Sequence, residues 1–380
     1  MRNMQKSLLK VMTVVGTRPE IIRLSRTMAL LDEYLDQIIV HTGQNYDYEL
    51  NEIFWSELEL RKPDYFLNVD TTSLGASVGD IIRKTEEVLK KEKPDAMLVL
   101  GDTNSCLSAY MAKRMHIPIF HMEAGNRSFD FNVPEEINRR VIDHISDFNL
   151  VYTEHARRHL LSEGLPHRRI YLTGSPMKEV LDYYLPKIQV SDALNTLELE
   201  KGKYFLVSTH REENVDNQSN LIKIVTILNQ LAEMYNFPVI VSTHPRTRKR
   251  LEALPDFQPN NLIRFLKPFG FIDYVHLQQN ACCVISDSGT ISEESSILNF
   301  PAISLRQSME RPEAQDAGTI ILTGFKPKVV IDSINLVVRE FADTKGYSRI
   351  AEDYTITNTS WRVLKLIAGN ASLSNLWHGI

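Results

Sequence analysis

Cysteine is scarce in this 380-residue sequence: only Cys106, Cys282 and Cys283 occur, with no CxxC pair. That excludes a disulfide framework. No Gly-x-Gly triplet and no GxxxxGK[ST] loop are present, so the dinucleotide fingerprint and the triphosphate loop are both missing. NAD chemistry and simple ATP hydrolysis lose ground accordingly. No stretch of about 20 apolar residues and no signal-peptide pattern appears, which points to a cytoplasmic protein without membrane contact. Basic residues are not in excess either. Lys and Arg number 43 against 48 Asp and Glu, a net charge of -5, whereas nucleic-acid binding needs clustered cations. The densest basic stretch, residues 246–250, reads as a solvated helix face.

What the sequence does contain is a repeated pattern of short apolar runs, each ending on a polar cluster. Val11–Val15 leads into Gly16-Thr17-Arg18-Pro19-Glu20, Met97–Leu100 into Gly101-Asp102-Thr103-Asn104, and Ile117–Phe120 into His121-Met122-Glu123-Ala124-Gly125. Phe205–Val207 leads into Ser208-Thr209-His210-Arg211-Glu212, Val239–Val241 into Ser242-Thr243-His244-Pro245-Arg246, and Val284–Ile285 into Ser286-Asp287-Ser288-Gly289-Thr290. Continuous apolar runs of this length suit parallel strands buried on both faces. In open α/β sheets, ligands bind beyond the carboxyl ends of such strands.

The order of elements predicts an α/β protein with two Rossmann-like, doubly wound domains facing a cleft. Strands at 11–15, 37–41, 96–100 and 117–121 alternate with helices opening at Pro19 and spanning 75–92 and 104–115. The segment from Tyr184 to Gly202 reads as a linker, and a strand at 204–208 restarts the alternation. Residues 1–185 and 186–380 are therefore assigned to a first and a second domain. A last helix over 359–369 is left open between its own domain and packing back on the first.

Several strand-end residues are candidates for chemistry. Ser288, Gly289 and Thr290 precede a helix whose free N–H groups and dipole suit an anion, with Gly289 permitting close approach to the backbone. An ordinary helix cap by Ser288 or Thr290 is the alternative. Glu293 and Glu294 follow on that helix; taken alone they read as surface charges, although a carboxylate one turn in can accept both hydroxyls of a ribose. Arg18, with Arg23 one turn on, offers a forked cation for phosphate, or else an ordinary surface arginine. Asp102, Glu123 and the pair Glu135-Glu136 form a carboxylate set suited to general acid–base work. His210 and His244 supply donors from the second domain. His155 and His159 do not form HExxH and are expected to be exposed; no metal site is expected.

GTRPE, GDTNS, HMEAG, PEEINR, THREE, SDSG-x-x-x-EE and ERPEA occur in this order. Together they resemble the non-hydrolysing UDP-N-acetylglucosamine 2-epimerases over residues 10 to 325. The resemblance implies a fold like that of the GT-B glycosyltransferases, a UDP-sugar substrate, no cofactor and a homodimer. It also implies C2 inversion by anti elimination of UDP to a 2-acetamido glycal, followed by re-addition. Asp102, Glu123 and Glu135 would then lie at the sugar, and His210 near the leaving group. Arg18, Ser288 and Gly289 would lie at the diphosphate, Glu294 at the ribose and Arg311 near the sugar–phosphate junction. Arg23 stands where the family commonly has Lys, Asn45 in place of the His of GQH, and Asn126 in place of the Leu of EAGLR. These departures look closer to the branch that forms UDP-N-acetyl-L-fucosamine for capsule or O-antigen. A GT-B glycosyltransferase and a non-catalytic UDP-sugar sensor are the competing readings.

Overall fold

The structure, a computed structural model, describes residues 9–43, 54–209, 211, 214, 217–243, 245–254, 258–346 and 350–377. The chain forms two compact units, one of residues 1–182 with 355–380, the other of residues 183–354.

The first unit is built on a seven-stranded parallel sheet of order β3-β2-β1-β4-β5-β6-β7. Its strands are β1 Lys10–Val15, β2 Asp36–His41, β3 Tyr65–Phe66, β4 Ala96–Leu100, β5 Ile119–Ala124, β6 Phe148–Val151 and β7 Ile170–Leu172. All five residues of β4 are buried, as a strand covered on both faces requires. Met12 and Val14 of β1 join Met97, Val99 and the helices Leu74–Glu92 and Pro134–Ile145 in one core layer. On β1, Thr13 donates to Gln37 at 2.9 Å, whose amide donates to the Met28 carbonyl at 2.9 Å, so this buried polar pair is satisfied.

The C-terminal helix Thr359–Trp377 belongs to this first unit, where it packs on the helix Arg18–Tyr34. Trp361 lies 5.1 Å from Tyr34 between ring centroids. The helix runs eight residues past the predicted end, to Trp377, with Ala371 and Ser374 buried in the added stretch.

The second unit carries a six-stranded parallel sheet of order β10-β9-β8-β11-β12-β13. Its strands are β8 Phe205–Ser208, β9 Val239–Ser242, β10 Ile263–Leu266, β11 Cys283–Ser286, β12 Ala302–Ser304 and β13 Ile321–Leu322. Alternate residues divide between two cores. Phe205 and Val207 pack with the helices Gln218–Tyr235 and Pro327–Thr344, while Tyr204 and Leu206 pack with Leu277, Ile291, Phe300 and Tyr354.

Three local differences from the sequence reading have physical causes. Pro118 has no N–H for the ladder, so β5 starts at Ile119 and extends to Ala124. The helix expected over 104–115 opens as a 3₁₀ segment, Asn104–Ser108, before Ala109–Arg114. The expected linker begins as helix, since Met177–Gln189 runs through Pro186.

His41, at the end of β2, is fully buried, stacks on Phe66 at 4.7 Å, and accepts the Gly43 N–H at Nδ1. Burial pushes its imidazole down to about 4 from an ordinary 6.5. The unfolded chain therefore binds a proton near pH 6.5 that the folded chain refuses until about pH 4. Stability is lost as pH falls through that window, by about 3 kcal/mol from this group. Urea unfolding at several pH values should show a shallower acid limb in His41→Gln than in the wild type. Equal slopes would count against this role.

Candidate functional site

β1 and β4 are sequence-distant neighbours in the centre of the first sheet. They mark the point where the strand order reverses, and loops there diverge to opposite faces. From β1 the chain enters the helix Arg18–Tyr34 with Thr17 at the N-cap and the Glu20 side chain reaching back to its N–H. Glu20 is buried, and its carboxylate ties two loops together. One oxygen accepts the Gly16 N–H at 2.5 Å and the Thr17 N–H at 3.3 Å. The other accepts from the hydroxyls of Thr103 and Ser105, in the loop after β4. Burial raises the Glu20 carboxyl, against those hydrogen bonds, which lower it. Arg18, one residue into the helix, lies over the Phe54 ring at 5.0 Å and is half-buried rather than an open surface arginine.

Glu123 owes its direction to an irregularity in β5. Met122 pairs with Leu150 and Ala124 with Val151, so Glu123 is the extra residue of a bulge. Its φ of 65° is left-handed, a conformation that costs a non-glycine residue about 1–3 kcal/mol and concentrates at functional sites. The re-aimed carboxylate pairs with Arg23 and accepts from Asn126 Nδ2 at 3.4 Å. A Cβ placed on Gly101 would sit 3.6 Å from Glu123 Oε2, so this carboxylate lies beside the residue preceding Asp102. Asp102 itself accepts from Arg139 Nε at 3.0 Å and Nη2 at 2.6 Å. Two of the candidate acids thus come from the carboxyl ends of neighbouring strands, Asp102 just beyond β4 and Glu123 in the bulge of β5, each held by an arginine.

The pair Glu135-Glu136 separates. Glu135 is exposed in the first turn of the helix Pro134–Ile145, whereas Glu136 is completely buried. Glu136 bonds Ser128, Arg139 and Arg140. Arg140 continues to Glu163, Glu163 to Arg127, and Arg127 to Asp143. Asp143 lies 2.9 Å from His121 Nδ1, and His121 Nε2 meets the Gly101 carbonyl at 2.9 Å. The chain of charges that begins at Asp102 therefore closes on the neighbouring peptide. The hydrogen bond from Arg127 is the main reason the Glu163 carboxyl is held down to about 2. Gly125, with φ of 82°, is required nearby, because a Cβ would stand 2.4 Å from the Ala156 carbonyl oxygen.

His121 opens HMEAG and Arg139 closes PEEINR, motifs that point to Glu123 and Glu135 instead, and Asp143, Arg127 and Glu163 carry no sequence signal. His159 is also not exposed as expected: it is half-buried, with Nδ1 2.9 Å from the Gly125 carbonyl and its ring edge-on to Phe129. His155 is half-buried too.

In the second unit the switch point lies between β8 and β11. Asp287 is fully buried and accepts the Arg211 N–H at 3.1 Å and Asn214 Nδ2 at 2.8 Å. The Ser288 and Thr290 hydroxyls meet at 2.9 Å, and the helix Ile291–Leu298 follows. Glu293 and Glu294 are buried rather than surface charges. Glu293 pairs with Arg311 at 2.6 Å, and Glu294 accepts from Gln278 Nε2 at 2.7 Å. Burying these carboxylates requires partners of this kind. Arg311 is itself buried in that pair, and the arginines beside Gly289 are instead Arg211 and Arg306. His210 and His244 lie outside the described residues, as do Gln44, Asn45 and Glu212. Among the described residues no cluster of His, Cys, Asp or Glu could hold a metal ion, and no helix is long and apolar enough to cross a membrane.

Residues 29–368 match the model of the UDP-N-acetylglucosamine 2-epimerase family. The UDP-N-acetylglucosamine 2-epimerase of Methanocaldococcus jannaschii is 37% identical over 350 residues, covering 89% of this chain and 94% of that protein. The structure of UDP-N-acetylglucosamine 2-epimerase from Rickettsia bellii superposes with a TM-score of 0.92 at 51% identity, over 97% of this chain and 98% of that one. The M. jannaschii enzyme in complex with UDP-GlcNAc and UDP superposes with a TM-score of 0.85 at 34% identity, over 95% and 99% of the two chains.

Removing the Glu20 carboxylate strands four donors in and around a buried loop junction. Glu20→Ala should therefore cost about 2–4 kcal/mol of stability. Asp143→Ala, which leaves the fully buried Arg127 short of a partner, should cost about 3–5 kcal/mol. Urea denaturation checks both, and losses under half a kcal/mol would contradict the described networks.

Proposed function

The chain belongs to the UDP-N-acetylglucosamine 2-epimerase family, a family of isomerases, and on that premise we propose that it inverts C2 of a UDP-N-acetylhexosamine without hydrolysing it. The observation that carries this reading is that Asp102 and Glu123 come from the carboxyl ends of adjacent strands, with the Glu123 carboxylate beside Gly101, the residue before Asp102. Proton transfer at a carbon flanked by an acetamido group needs a base and an acid of this kind. One carboxylate removes the C2 proton while the C1–O bond breaks, its electron pair leaving with UDP. The product is the 2-acetamido glycal. UDP oxygen then re-forms the bond to C1 while a second carboxyl group delivers a proton to the opposite face of C2. No net oxidation occurs, so no redox cofactor is required.

We assign proton transfer to Asp102, Glu123 and Glu135, all in the first unit. Glu135 is exposed at a helix start, one residue before the buried Glu136. Arg18 and Arg23 supply positive charge there, and Arg23 orients Glu123. In the second unit, Ser288, Gly289 and Thr290 would receive the diphosphate at the helix start, Glu294 the ribose, and His210 and His244 the leaving group. Arg311 would act through Glu293, its buried partner. We place the protein in the cytoplasm as a homodimer.

The substrate need not be UDP-N-acetylglucosamine. Two departures from the family's usual residues, Arg23 and Asn126, both meet Glu123. Their convergence on one acid favours a different sugar at that position, and we propose UDP-N-acetyl-L-fucosamine formation, for capsule or O-antigen, as the second reading.

Turnover of UDP-N-acetylglucosamine compared with UDP-2-acetamido-2,6-dideoxy-L-talose decides between the two sugars, and turnover of neither refutes both. Glu123→Gln and Asp102→Asn should each lower kcat by about 10²–10⁴ while UDP binding persists. Wild-type rates in either variant would refute the acid–base assignment.

A further inference from the structure

The space above Gly289 is filled by a carboxylate. A Cβ added at Gly289 would stand 2.8 Å from Glu310 Oε1, with Arg211 Nη2 and Arg306 Nη1 each 3.8 Å from the same point. Glu310 Oε2 pairs with Arg306 Nη2 at 2.6 Å, and Oε1 with Arg211 Nη2 at 3.3 Å. Glu310 is 7% and Arg306 4% exposed, so this pair is desolvated, with the half-buried Arg211 at its edge. The helix Ile291–Leu298 begins two residues beyond Gly289, and a helix start favours anions.

We propose that Glu310 is an internal competitor for the substrate's diphosphate, seated in its place over Gly289 and paired with the two arginines that would otherwise bind phosphate. A carboxylate and a phosphate present the same charge sign and the same forked geometry to a guanidinium. Glu310 keeps the buried Arg306 from standing as an uncompensated charge, a costly arrangement. It also weakens apparent nucleotide affinity, because a ligand reaches its intrinsic affinity only in the fraction of molecules whose seat is open. The proposal rests on the reading that this unit binds UDP, and it adds Arg211, Arg306 and Glu310 to that site with opposed effects.

Calorimetric titration of the full-length wild type, Glu310→Gln and Glu310→Asp with UDP, and separately with inorganic pyrophosphate, tests it. The Gln variant removes the competing charge, and the Asp variant draws the carboxylate back from Gly289. Both should bind pyrophosphate and UDP more tightly than the wild type, by about tenfold for Gln and less for Asp. If Glu310→Gln fails to fold, the Asp variant decides. Unchanged or weaker binding overturns the proposal, as does a lack of pyrophosphate binding by all three proteins. Failure of every protein to bind UDP, with pyrophosphate binding still tightened in the variants, would refute the UDP reading while leaving Glu310 as the competing anion.

Discussion

One buried carboxylate fixes the geometry on which the first unit's chemistry depends. Glu20 accepts from both the β1 loop and the β4 loop, and those loops leave the sheet at the point where its winding reverses. Parallel strands put their polar residues at the carboxyl edge but do not by themselves set the spacing between neighbouring loops. A single acceptor with four donors does. Arg18 and Asp102 lie next to the groups that it binds, so the distance between a cation and an acid follows from one side chain. Burial raises the Glu20 carboxyl, a cost the surrounding hydrogen bonds work against.

The second constraint is electrostatic. Glu123 projects from a bulge in a left-handed conformation, and Asp102 is gripped through two nitrogens of Arg139. Behind them the charges alternate in sign, from Arg139 through Glu136, Arg140, Glu163 and Arg127 to Asp143. Buried charges of one sign would repel, whereas alternation lets each carry its neighbour. In the second unit the same logic recurs in shorter form, as Glu293 with Arg311 and Glu310 with Arg306.

Much of this was legible in the sequence, for reasons that differ by residue. Strands such as β1, β4 and β8 announced themselves because strands buried on both faces must be continuously apolar. Asp102 and Ser288 could be found because they end such runs. The burial of Glu293 and Glu294 could not, since their partners Arg311 and Gln278 are chosen by tertiary packing, and the i,i+4 spacing of Glu136 and Arg140 suits a solvated helix face equally well. The re-aiming of Glu123 depends on register with β6, which no local pattern encodes. His121 is hidden in a similar way: its ring is bracketed by a carbonyl from β4's end and an acid from a later helix.

In the proposed reading the units carry separable tasks, acid–base groups on one and anion recognition on the other, both at the reversal points of parallel sheets. The central claim is that the first of these tasks is proton exchange at C2 of an intact nucleotide sugar. Proton NMR of UDP-N-acetylglucosamine, and of its 6-deoxy-L-talosamine counterpart, incubated with the protein in deuterium oxide tests it most directly. The account predicts that one of the two loses its C2 proton signal to deuterium while its C2 epimer accumulates and free UDP stays substoichiometric. Retention of the C2 proton in both, or stoichiometric release of UDP with free sugar, would contradict it.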